Sequence, residues 1–324
     1  MIRSCMAATP KLTAWLALLA VYFFWGTTYL AIRMALESFG PLHLISLRFL
    51  ISGAVMLVGA RLLGAKIPSG KELLVTGRNG LILLGGGTGI LVFTEQWVPS
   101  GTAALFITLG AFWTIGLEAA TGGEKLHLPT LTGIFLGFLG VAILVAPSAE
   151  TRTQGLLVGF LLLQLGCFCW SAGSILQRRQ KTTVHPAVTG AVQQLATGLV
   201  YLPLALIVPE HPTQWSTRGN LALAWLIVFG SIVAFSAFIY ALDHLPIAIV
   251  TTYNYVNPVV AVFLGWVFYR EPFGGRELVA MLFVFAGVAL VKYFTGKQQQ
   301  QLAKAGTLLS EPEPLRSSAR AASD

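Results

Sequence analysis

Few residues of this chain can do polar chemistry, because only 10% of it is charged. Arg48 is the most conspicuous, about seven residues into an apolar run that opens at Pro41. An arginine at mid-bilayer costs about 2.5–3.5 kcal/mol on insertion scales, so it must face protein or water and find a partner. It would hold a solute carboxylate or a gate carboxylate; the plainer alternative is a cation tied to helix-end carbonyls or drawn to the interface. Glu95 stands beside Gln96 and Trp97 near the end of another apolar run. A carboxylate partly out of water can exchange a proton on each cycle, so Glu95 is the candidate for proton coupling, with an interfacial acid that fixes a loop as the alternative. Thr251, Asn254 and Pro258 recur at helical spacing. Proline lacks a backbone donor and frees the carbonyl one turn earlier, that of Asn254, which must then be satisfied by protein or cavity water. Asn254 and Asn257 would bind a solute or tie helices together. Trp25 and Trp170 lie inside apolar runs, where their rings line a cavity and stack on a solute or simply pack. Gln164 joins this candidate substrate-binding set, with Gln193 and Gln194 behind it.

Chemistry of other kinds has no residues to carry it. The five histidines (His43, His127, His185, His211, His244) are scattered at the ends of apolar runs, and no H-E-x-x-H or G-x-S-x-G sequence occurs. Gly85-Gly86-Gly87-Thr88-Gly89 lacks the lysine of a phosphate loop and sits in an apolar run, so close helix packing is the better account. Cys5, Cys167 and Cys169 form no metal-ligand spacing and are read as thiols without a disulfide. No catalytic residue, metal site or cofactor is implied. Asp243, Glu271 and Glu118, at the ends of runs, are read as acids of solvated loops.

The elements that must position these residues are membrane helices. With 55% hydrophobic residues and a mean hydropathy of +0.74, the composition excludes a soluble domain, which carries about 25% charge. Ten stretches have the length of a crossing helix: 12–32, 41–63, 78–97, 100–120, 128–146, 155–177, 186–208, 220–242, 246–269 and 275–294. The first has the flanks of a signal peptide but is too long for one, and is expected to be retained. The chain reads as an all-α integral membrane protein.

Those ten stretches fall into two copies of five. Shifting the sequence by 147 positions lays Val98-Pro99 on Leu245-Pro246, Glu124 on Glu271 and Gly140-Val141-Ala142 on Gly287-Val288-Ala289. A shift of 145 lays Trp25 on Trp170, Pro41 on Pro186, Leu50 on Leu195 and Gly53 on Gly198. The halves span 12–147 and 154–294, and the tail 295–324, with its glutamine run, Pro312 and Pro314, is expected to be disordered and cytoplasmic. With the N-terminus inside, fifteen of the 21 lysines and arginines fall in inner segments and five in outer ones, so both termini are expected in the cytoplasm. Five crossings per half then insert the second half upside down, the inverted construction of many secondary transporters, with a site near the midplane where the halves meet. The net charge of +8 is accounted for by this topogenic bias and calls for no nucleic-acid partner.

Certain phrases carry a family resemblance. Trp25-Gly26-Thr27-Thr28-Tyr29, Leu47-Arg48-Phe49-Leu50, Tyr255-Val256-Asn257-Pro258-Val259 with Glu271-Pro272, and Gly287-Val288-Ala289-Leu290-Val291 resemble the drug/metabolite transporter superfamily, EamA type. Thr94-Glu95 followed by Pro99-Ser100-Gly101 is similar to its YedA-like bacterial subgroup. The resemblance implies a ten-helix inner (plasma) membrane permease that exports small organic metabolites such as amino acids, related compounds or drugs. One departure stands out: the first half has Gly110-Ala111 where the second has Asn257-Pro258. The expected activity is secondary-active export by alternating access, driven by proton antiport or by the solute's own gradient, by a monomer or homodimer. A facilitative nucleotide-sugar or sugar-phosphate carrier is the alternative and would want more buried cations than Arg48. A membrane-embedded enzyme would want clustered acid–base pairs, and a receptor would lack the inverted duplication.

Overall fold

Helix termini in this chain are set by proline, by hydroxyls and by glutamates from distant segments. The computed structural model describes residues 10–121, 128–145, 153–180, 184–245, 250, 253–271 and 273–310. Helix α1 is Pro10–Leu36, α2 Pro41–Leu62 and α3 Gly70–Gly80. A π-helical segment, Leu81–Thr88, joins α3 to α4 (Gly89–Thr94). Then come α5 (Ser100–Thr108), α6 (Gly110–Ala120), α7 (Leu128–Val145), α8 (Thr153–Arg179) and α9 (Pro186–Ile207). Helix α10 (Thr217–Trp225) passes through a second π-helical segment, Leu226–Val233, into α11 (Ala234–His244), and α12 (Tyr253–Tyr269) and α13 (Gly275–Ser310) follow. Pro41 and Pro186 open α2 and α9, where a missing N–H costs nothing. Ser216 Oγ caps α10 by accepting from Gly219 N at 3.0 Å.

Among the described residues, six helical stretches are long and apolar enough to cross a membrane: Leu12–Leu36, Pro41–Leu62, Ser100–Ala120, Gly155–Arg179, Pro186–Ile207 and Thr217–Phe238. Two shorter apolar helices, Leu131–Ile143 and Val256–Tyr269, add to them. Large apolar side chains point away from the bundle, Phe135, Leu206 and Phe263 among them, as lipid contact requires. One expectation fails. Helix α13 continues to Ser310, so 295–310 is helical rather than disordered; Gln298 to Gln301, Leu302, Ala303, Lys304 and Ala305 are all strong helix formers. The rest of the tail, 311–324, lies outside the described residues, as do Cys5, Glu124, His127 and Thr251.

Contacts fix the relative direction of the helices. Tyr22, Gly26 and Arg33 of α1 meet Asn257, Val260 and Glu271 in rising order, so α1 and α12 are parallel. Gly101 and Thr108 of α5 meet Val262 and Asn254 in falling order, so α5 and α12 are antiparallel. Phe106, Thr114 and Glu118 meet Gln164, Ser171 and Arg178 in rising order, so α8 is parallel to α5–α6. It follows that α1 and α8, the opening helices of the two halves, run in opposite directions.

Close packing repeats across the halves. A Cβ on Gly53 would lie 2.9 Å from Leu195 N, and one on Gly198 would lie 2.8 Å from Leu50 N, so α2 and α9 cross through reciprocal glycines. Likewise Gly140 of α7 faces Ala280 and Val284 of α13, and Gly287 faces Gly133 and Gly137. Glycine here permits backbones to approach without a hydrophobic driving force in lipid. The two π-helical segments obey the same duplication: 145 positions separate Leu81 from Leu226 and Thr88 from Val233.

Candidate functional site

The π-helical segments build the centre of the molecule. A π turn pairs i with i+5 and leaves a carbonyl looking for another donor. In the second segment Gly230 O accepts from Trp25 Nε1 at 3.1 Å and Ser231 O accepts from Gln194 Nε2 at 3.1 Å. In the first, Gly85 O accepts from Tyr201 Oη at 2.8 Å. Gly85 and Gly230 are 145 positions apart, and each donor comes from the opposite half of the chain.

Between these segments lies a cavity of about 40 Å³, far below the range for ligand pockets, so the bundle is closed around its lining. Trp25 and Trp170 both line it, edge to face with centroids 6.1 Å apart. Arg48 lines it too. Its Nε donates to Ser231 Oγ at 2.8 Å, while its Nη1 is buried without a hydrogen-bond partner among the described residues. Ser52 Oγ donates to Arg48 O at 2.7 Å, Gln194 is bonded to Ser52, and so a ring of bonds holds α2, α9 and the second π segment around the guanidinium. Phe49, Leu84 and Phe235 supply apolar wall, and Thr88 a hydroxyl. The site offers one fixed positive charge on an aromatic floor, and among the described residues no cluster of three His, Cys, Asp or Glu side chains could hold a metal.

Other expected site residues are placed elsewhere. Gln164 spends both ends of its amide on α5–α6, accepting from Trp113 Nε1 at 3.0 Å and donating to Phe106 O at 3.1 Å. Asn257 is buried, and the amide orientation its neighbours demand donates to Tyr253 O at 3.3 Å and Tyr22 O at 3.1 Å, which ties α12 to α1. The carbonyl of Asn254 freed by Pro258 is met by Thr108 Oγ1 at 3.3 Å, where α5 gives way to α6. Glu95 is 3% exposed with neither carboxylate oxygen hydrogen-bonded among the described residues, outside the cavity wall. Gln193, the counterpart of Arg48, donates to Gln177 Oε1 at 2.9 Å and leaves its own Oε1 buried and unpaired among those residues. The glycine run is packing: a Cβ on Gly87 would come within 3.0 Å of Trp170, and one on Gly86 within 2.7 Å of Cys169. Cys167 and Cys169 are free thiols.

Glu271 is the chief correction. It is not a solvated loop acid but 8% exposed, bonded to Arg33 Nη1 at 2.7 Å, Ser100 N at 2.9 Å, Ser100 Oγ at 2.8 Å and Gly101 N at 3.0 Å. It caps α5, where free N–H groups and the helix dipole favour a carboxylate. Arg270 adopts φ 50°, a left-handed turn that swings Glu271 back under the helix end. Glu210 does the same for α2, accepting from Leu42 N at 2.7 Å and His43 N at 3.2 Å, a role that no motif around it marks. Glu118 is paired with Arg178. Asp243 lies in α11, with its side chain outside the described set.

Comparison with known proteins settles the class. The EamA-like transporter family profile matches twice, over residues 12–146 and 157–293. The chain belongs to the EamA-like transporter family. This member is 35% identical over 277 residues to the inner membrane transporter YedA of Escherichia coli (strain K12), covering 85% of this chain and 89% of that protein. It is 27% identical over 284 residues to the probable amino-acid metabolite efflux pump of Salmonella typhimurium (strain LT2), covering 84% and 92%. A crystal structure 21% identical superposes with a TM-score of 0.65 over 89% of this chain and 99% of that one, which shows the shared fold. Residues from both matched segments line the cavity of this EamA-like transporter, which sits at their seam.

Proposed function

We propose that this transporter is a secondary-active exporter of small organic metabolites, amino acids and related compounds first among them, working by alternating access in the inner membrane. Ten crossings in two inverted halves put both termini in the cytoplasm. The observation that carries this reading is the seam cavity, lined by Trp25 and Trp170 from equivalent places and by Arg48, whose Nη1 has no hydrogen-bond partner among the described residues. A solute with a carboxylate and an apolar or aromatic body fits those groups. The opposed directions of α1 and α8 support the inversion, since helices equivalent by sequence then point oppositely through the bilayer. The Salmonella typhimurium relative, a probable amino-acid metabolite efflux pump, points to the same substrate class.

Proton antiport through Glu95 is the coupling we infer, because its carboxyl is buried with neither oxygen hydrogen-bonded among the described residues, so that only an opening of the bundle brings it to water. Flux into proteoliposomes of a panel of amino acids, with and without an imposed pH gradient, tests both parts. Uptake that saturates and follows the gradient is the expected result. No flux of any amino acid removes the substrate class, and flux that ignores the gradient removes the antiport.

A further inference from the structure

The two ends of the bundle each carry an ion pair, and their arginines occupy the same place in the duplication. Arg33 is in the last turn of α1 and Arg178 in the last turn of α8, 145 positions apart, the shift that lays Trp25 on Trp170. Arg33 Nη1 lies 2.7 Å from Glu271 Oε1, just past the end of α12, and Arg178 Nη2 is paired with Glu118 Oε1, near the end of α6. Each arginine thus ends the first helix of one half and meets an acid at the end of the fourth helix of the other. The acids are not equivalent in sequence, since the shift of 147 lays Glu118 on Gly265. They are equivalent in space: a Cβ on Gly265 would lie 2.8 Å from the carboxyl carbon of Glu271. The glycine leaves room, and Glu271 fills the place where its counterpart's side chain would stand. Glu271 also touches Ser100 at the start of the Ser100–Ala120 stretch, and Glu118 stands 18 residues later, roughly 27 Å along a helix.

We propose that these pairs are the two latches of the transport cycle, Arg33–Glu271 closing the outer mouth and Arg178–Glu118 the inner one, opened in turn. The inference rests on the alternating-access reading above. The latches are of unequal strength. Arg33 and Glu271 have side chains 31% and 7% exposed, against 49% and 36% for Arg178 and Glu118. Glu271 is further fastened by Ser100 and Gly101, and Arg33 stacks 4.8 Å above the Tyr269 ring. The outer latch therefore holds longer, and the resting chain opens mainly inward.

The reporter is Thr88→Cys, which lines the cavity, in the full chain with its three cysteines changed to alanine. Labelling with a membrane-impermeant maleimide is followed from each face in right-side-out and inside-out vesicles. Arg33→Gln, which leaves the cap of α5 intact, is expected to raise outer-face labelling about two- to five-fold, the range an ion pair of this kind commands. Arg178→Gln raises inner-face labelling by less, Glu118→Gln reproduces it, and the exchange Arg178→Glu with Glu118→Arg restores the parent rates. Thermal midpoints matching the parent's show that the variants are folded; if Arg33→Gln unfolds, Arg33→Lys, which keeps the charge, must give the outer-face increase in smaller measure. Variants that raise labelling equally from both faces, or from neither, overturn the latches. Substrate flux by the parent chain is measured in parallel: flux with two-sided labelling in every variant sinks the latches alone, whereas a cavity open to one face in all chains sinks alternating access with them.

Discussion

A guanidinium has five N–H donors in a rigid fork, and Arg48, in the cavity lining, commits one of them to Ser231 while Nη1 has no partner among the described residues. A buried charged donor without a partner costs more than an ordinary hydrogen bond returns, so a carboxylate arriving there gains about 1.5–3 kcal/mol. Arg48→Gln is accordingly expected to lower export more than about tenfold while the protein remains folded, measured as proteoliposome flux beside a thermal melt. Arg48→Lys recovers little of it, because one ammonium cannot keep Ser231 and present a fork to the solute. Glu95→Gln carries a different signature: flux down the solute's own gradient persists, while the response to an imposed pH gradient disappears. The charge of these residues inside apolar runs made them visible from sequence. Which way Gln164 and Asn257 face was not visible, because a membrane helix is apolar on all sides and gives no moment to read; the Gln164 amide is bonded to α5 and α6, and that of Asn257 to its own helix and α1.

The paired π segments belong to the elements rather than to any one side chain. Each turns its central glycine carbonyl toward an aromatic donor from the other half, but their surroundings differ. A Cβ on Gly230 would come 3.0 Å from Thr28 and 3.1 Å from Arg48 Nη2, whereas one on Gly85 would meet nothing nearer than 3.5 Å from Tyr201. Gly230→Ala should therefore displace the guanidinium and cut transport severalfold, and Gly85→Ala should leave transport near the parent level, both read as initial flux. Helix caps make a second contrast. Glu210→Ala deprives Leu42 N and His43 N of their acceptor and is expected to destabilise the detergent-solubilised protein by about 1 kcal/mol, checked by thermal unfolding. The glycine run was legible as packing from its place in an apolar run. The π geometry was not, because no residue type encodes it. Glu271 and Glu210 were missed for a related reason: an acid after a membrane helix looks solvated until the fold brings another helix's N-terminus to it.

At the scale of the molecule the duplication governs both halves and both ends. The contacts sort by end: Ser38 with Ser216 and Gln214, His43 with Glu210, and Glu37 with Arg218 all join segments that the positive-inside count assigns to the outer face. Gln180 with Thr76 and Asn79, and Arg179 with Thr121, join segments it assigns to the cytoplasm. Charge counting and side-chain pairing are independent, and they divide the chain the same way. The repeat was legible because glycines at helix crossings are kept in register by sterics, as Gly53 with Leu195 and Gly198 with Leu50 show. The sidedness that follows is testable on exposed positions. A cysteine replacing Lys66, between α2 and α3, should react with an impermeant maleimide only from the cytoplasmic face, and one replacing Gln214, between α9 and α10, only from the outside. If both react from one face, the count of crossings between them is even rather than odd. The proposed inversion of the second half would then fail, and the alternating access proposed for the seam cavity would lose the exchange symmetry it requires.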